Sequence, residues 1–193
     1  MTQIELAQAV MTKIFDYLTA NKSKTVGPFT IEDSVVDENT DNSDGILDGF
    51  PLRTIKLKPT ADKNCNELFY FHVTLGRPPV PVIHFHRYKN AGEKKNERIY
   101  EEQLANIITG TKDKVDIEFS ANMNLTGLPR IINDPREQLL ADLADKYPNP
   151  YYSGSLDNFK DDVVRDTVTQ LMNLCFDKYI VRATLRNELA NTI

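Results

Sequence analysis

The stretch Glu67-Leu-Phe-Tyr-Phe-His-Val-Thr-Leu-Gly-Arg-Pro-Pro-Val-Pro-Val-Ile-His-Phe-His-Arg-Tyr88 decides how this chain is read. It holds all three histidines of the protein, His72, His84 and His86. Apolar and polar residues alternate on either side of Gly76–Pro79, the pattern of two half-buried strands joined by a turn. In the first strand Phe69, Phe71, Val73 and Leu75 share one face, and Tyr70, His72 and Thr74 share the other. In the second, Ile83 and Phe85 oppose His84, His86 and Tyr88.

Residues directly opposed in an antiparallel pair lie on the same face. Placing the phenylalanines and Ile83 together in the core therefore requires opposed positions to sum to an even number, as in Phe71 with Phe85 and His72 with His84. A three-residue turn at Arg77-Pro78-Pro79 achieves this. His72 and His84 then stand roughly 5 Å apart at Cβ, with His86 on the same face. A four-residue turn would instead send His72 into the core beside Ile83.

Outward from the hairpin, the expected elements fall on both sides. Thr2 and Glu5 form a capping box for an amphipathic helix carrying Ile4, Ala7, Met11, Ile14 and Leu18 and ending near Ala20-Asn21. Strands are expected near Phe29–Val36, over Leu52–Lys58 and, from the alternation of Val115, Ile117 and Phe119, over Lys114–Ser120. The spacing of Ile99, Tyr100, Gln103, Leu104, Ile107 and Ile108, closed by Gly110, predicts a helix from about Glu97. Asp134, Pro135 and Glu137 open another, with Leu139, Leu140, Leu143 and Tyr147 on its apolar side. "YPNPYYSGS" reads as a linker, and the segment after Asp157, Asp161 and Asp162 as one long helix. Helix, strands, helix, strand and helices in that order give an α+β fold. Its mainly antiparallel sheet carries the N-terminal helix and the C-terminal helices on one face. Residues 1–132 form the sheet domain, and 133–193 a helical extension packed on the same core.

At 193 residues with 40% apolar and 26% charged residues, the chain has the make-up of one ordinary globular unit. A net charge of -5 does not favour nucleic acid as a partner. The two cysteines, Cys65 and Cys175, are far apart and make no disulfide framework, which fits a reducing compartment. No signal peptide and no membrane span are expected, so the protein is placed in the cytoplasm or within a virus particle.

Three chemistries compete for the histidine face. Three imidazoles are enough for an open catalytic zinc site, yet neither strand adds an Asp, Glu or Cys there to orient or complete one. "FHVTL" resembles one half of the His-x-Thr/Ser motif of the two-histidine phosphoesterases. That resemblance implies an acid–base role for His72 and a phosphate contact for Thr74. It covers five residues. The second copy the family requires is missing, because the residues two positions after His84 and His86 are His86 and Tyr88. The third reading is a packed or interfacial sheet face made of Tyr70, His72, Thr74, His84, His86 and Tyr88.

Elsewhere, aligning Asp41, Asp44 and Asp48 on a calcium loop through Gly45 puts Thr40 and Pro51 where acids are needed. Arg87, Lys89, Lys94, Lys95 and Arg98 make a modest basic surplus, offset by Glu93 and Glu97. No phosphate-cradling loop, dinucleotide turn or hydrolase elbow is present, and no cofactor is expected. Tyr151 and Tyr152, beside prolines, together with Tyr70 and Tyr88, are the candidate partner-binding residues. The expected function is a non-enzymatic interaction or assembly protein, such as a particle subunit or an inhibitor- or immunity-type binder. Its partners would be other protein subunits, copies of itself included. The alternative is a small metal-dependent or phosphoester hydrolase built on His72, Thr74, His84 and His86.

Overall fold

The computed structural model describes residues 1–37, 52–61, 68–75, 81–89, 97–110, 112–123 and 136–190. Cys65, the acidic stretch around Asp41–Asp48, Lys94 and Lys95, the Arg77–Pro79 turn, and Asp134 and Pro135 lie outside them. Helix α1 (Gln3–Ala20) leads into β1 (Thr25–Val26), β2 (Phe29–Asp37), β3 (Leu52–Pro59), β4 (Leu68–Leu75), β5 (Pro81–Lys89), β6 (Glu97–Thr109) and β7 (Lys114–Phe119). Then follow α2 (Arg136–Lys146), β8 (Tyr152–Ser155), a 3-10 turn (Leu156–Asn158) and α3 (Asp162–Ala190). The eight strands form one antiparallel meander in sequence order, so every neighbour in the sheet is a neighbour in the chain.

The expected capping box is formed: Thr2 accepts from the Glu5 N–H, and the Glu5 carboxylate accepts from the Thr2 N–H at 2.7 Å. Leu6, Val10, Ile14, Phe15 and Leu18 bury the inner stripe of α1, while Ile4 is 41% exposed at its outer edge. Between β1 and β2 the chain reverses at Gly27 and Pro28. Gly27 has φ +56°, where a side chain is strained, and proline fixes the next residue.

One face of the sheet is apolar. Ile31, Ile55, Leu57, Phe69, Phe71, Ile83 and Phe85 share it by register and are fully buried. The two long helices cover that face. Phe15 of α1 packs against Phe71, while Phe176 and Tyr179 of α3 meet Phe29 and Phe69. Burying these rings removes about 2–3 kcal/mol of apolar hydration each, which makes this layer the main cohesive element. Helix α2 rests on α3, where Lys146 and Tyr147 both donate to Asp177 at 2.6 and 2.5 Å.

Two sequence expectations need correction. The Glu97–Gly110 segment is strand β6, not a helix. Its buried residues Glu102, Leu104, Ala105 and Ile107 break strict alternation because β6 carries a bulge opposite Ile83 and His84. One inserted residue turned a period of two into spacings of three that imitate a helix. The segment read as a linker also contains β8, which pairs with β7 from Ile117↔Tyr152 to Lys114↔Ser155. Strand β8 and α3 thus bring residues beyond 133 into the same sheet and the same buried cluster as α1. The long terminal helix is present as expected, over Asp162–Ala190.

Candidate functional site

The hairpin register is the one that the parity argument favours: Phe71 pairs with Phe85, His72 with His84, and Tyr70 with His86. The three imidazoles therefore stand together on the side of the sheet away from α1 and α3. Ring centroids are 4.2 Å apart for His72 and His86, 5.4 Å for His72 and His84, and 6.4 Å for His84 and His86. His86 is buried, and Tyr70, His72 and His84 are half-buried. Thr54 and Lys56 of β3 extend the same face through their pairing with His72 and Tyr70. Thr74 and Tyr88 hold their places in β4 and β5, and their side chains lie outside what the structure describes.

His72 and His86 face each other through their Nε2 atoms in a hydrogen bond. One ring must donate and the other accept, which fixes complementary tautomers. Among the described residues, no set of three or more His, Cys, Asp or Glu side chains is arranged to hold a metal.

A second group of polar side chains, buried against the sheet, escaped the sequence reading. Strand β6 pairs with β7 only from Ala105↔Phe119 onward. At Leu104, whose carbonyl accepts from the Ser120 N–H at 2.7 Å, the two chains begin to fork. Lys178 of α3 fills the fork. Its ammonium donates to the carbonyls of Gln103 and Asn122 at 2.5 and 2.7 Å, and the residue is fully buried. Burial pulls its pKa down to about 8, Glu102 and Cys175 opposing and Arg182 assisting. One turn further along α3, Arg182 donates through Nε and Nη2 to Glu102 Oε1, a buried ion pair on the helix side of the sheet. Arg87, paired with Phe69 on that same side, is buried with its guanidinium 5.1 Å from the Tyr179 ring. Arg87 thus belongs to the interior and not to the basic loop in which the sequence seemed to place it.

Across the sheet from this cluster, the face carrying His84 opens into a pocket of about 550 Å³. It is lined by His84, Glu102, Gln103, Asn106, Ser120, Asn122 and Met123. Gln103 pairs with His84, and Asn106 with Val82, so the bulge brings both amides to one face although they are three apart in sequence. Gln103 Nε2 donates to Asn106 Oδ1 at 2.7 Å. His84 is pushed down to a pKa of about 4, first by burial and then by the charge of Lys178, so its ring is neutral at pH 7. The sequence signal for this site was a lysine and an arginine four apart, Lys178 and Arg182, inside an otherwise apolar helix face.

The tyrosines singled out near the prolines are packed on the domain. Tyr151 stacks on Phe119 at 4.6 Å, and its N–H donates to the Ile117 carbonyl. Tyr152 lies 5.1 Å from Phe159 and its hydroxyl donates to the Ser155 carbonyl. Both remain half-buried. Among the described residues no helix is long and apolar enough to cross a membrane. No protein-family model, curated protein or solved structure matches the chain.

Proposed function

We propose that this chain is a non-enzymatic binding protein of the assembly type, which docks other protein subunits on the sheet face opposite α1 and α3. The observation that carries this reading is the make-up of that face. Tyr70, His72, His84 and His86 form a half-buried to buried patch of rings, continued by Thr54 and Lys56. Rings of this kind offer large contact area with few rotatable bonds, and their polar tips satisfy hydrogen bonds when a partner excludes water. The pairing of His72 with His86 holds two of them in fixed positions before any partner arrives. A place in a virus particle or in the cytoplasm suits such a subunit equally.

Sedimentation velocity of the purified chain, alone and with the proteins that co-purify from its native source, tests the reading. The wild type is expected in a stoichiometric complex. Tyr70→Glu, whose new carboxylate faces Lys56 across the β3–β4 ladder, should return it to a monomer that is still folded by circular dichroism. A wild-type monomer with no stoichiometric partner would contradict it. Phosphoester hydrolysis lost in His72→Ala would favour the hydrolase instead.

A further inference from the structure

The pocket at the β6–β7 fork has a chemistry that the docking reading does not use. At about 550 Å³ it is large enough for a small organic ligand. Its described lining is polar except for Met123. Asn106 Oδ1 is already occupied as an acceptor from Gln103 Nε2, which leaves the Asn106 amide NH₂ to serve a ligand. The Ser120 hydroxyl and the Asn122 amide can add further donors.

The one carboxylate among the lining residues is turned away from the opening. The Glu102 side chain is 1% exposed, and Arg182 holds it on the helix side of the sheet. Behind the pocket wall sits the Lys178 ammonium, held by the backbone carbonyls of two lining residues, Gln103 and Asn122. Its charge is felt at the pocket, because it helps to lower the pKa of His84. A fixed positive charge behind a wall of neutral amides and a hydroxyl favours an anion over a neutral molecule of the same size.

We propose that this pocket is a binding site for a small molecule ending in an oxyanion, a carboxylate or a phosphate. The oxyanion lies against Asn106, Ser120 and Asn122, over Lys178, and the remaining volume takes the body of the ligand. The site shares His84 with the face proposed for docking, and the free chain is the form that binds the anion.

Amide NMR of the full chain, titrated separately with inorganic phosphate, succinate and glycerol, tests it. At least one anion should shift the resonances of Gln103, Asn106, Ser120 and Asn122 saturably, with a Kd of about 1 mM. Which anion does so identifies the head group. Asn106→Asp keeps the acceptor for Gln103 and adds a negative charge, and it should weaken that binding at least about tenfold while the amide spectrum stays that of the folded chain. Ser120→Ala should weaken it by about threefold. The proposal is overturned if neither anion saturates below about 50 mM, if Asn106→Asp binds as the wild type does, or if glycerol binds as tightly.

Discussion

His84 is the residue in which the fold and the site meet. Its imidazole titrates near 6.5 when unfolded and near 4 in place, lowered by burial and by Lys178. Between those values the unfolded chain binds the extra proton, so this group's contribution to stability is complete above pH 6.5 and declines as the pH falls toward 4. The loss is on the order of 2 kcal/mol once partial solvent screening is allowed for. Urea midpoints at pH 7.5 and pH 4.5 should therefore converge in His84→Gln relative to wild type, and an identical acid loss in both would count against the assignment. Glu102 and Arg182 make a sharper case. Their side chains are 1% and 6% exposed, so removing one charge strands the other. Glu102→Gln should cost about 3–5 kcal/mol in chemical denaturation, and Glu102→Gln with Arg182→Met should recover most of it. A double variant no more stable than the single would show that packing, and not the lone charge, sets the cost.

At the scale of elements, legibility followed the regularity of the pattern. β7 alternates without fault and is a strand with buried Val115, Ile117 and Phe119, while α1 carries its capping box. The shared face of His72 and His84 followed from parity, given an odd-length turn, because a one-residue slip would have exchanged the aromatic core for the histidines. β6 misled for a physical reason: its bulge shifts the inward residues from even to odd positions, and the buried Glu102 looks like surface until Arg182 is placed beside it. β8 was hidden because four residues, Tyr152–Ser155, are too few for a period, and only β7 as a template makes them a strand. Turn chemistry offers a test here. At Gly27 a Cβ would stand 3.2 Å from Asn173 Oδ1 and 3.3 Å from Met172 Cβ on α3, in a backbone with φ +56°. Gly27→Ala should cost about 1–2 kcal/mol by strain and by pressure on that contact. A neutral result in thermal melts would mean that the β1–β2 turn relaxes freely.

For the whole molecule, the meander places chemistry on two sides of one sheet. The helix side holds the aromatic core and the interior charges Arg87, Glu102, Lys178 and Arg182. The other side holds the imidazoles, Tyr70 and the pocket at the fork. The candidate face was legible in the sequence because all three histidines fall in one hairpin. The pocket was not, since it depends on a bulge and on a helix whose Lys178 holds Gln103 and Asn122, 75 and 56 positions before it in the chain. On the proposed reading the imidazole face, and not the helix face, receives a protein partner. Hydrogen–deuterium exchange on the chain in its native-source complex, compared with the free chain, tests this most directly. Added protection is expected in Leu52–Pro59, Leu68–Leu75 and Pro81–Lys89, with α1 and α3 unchanged. Protection confined to α1 and α3, or to none of these segments, would contradict it.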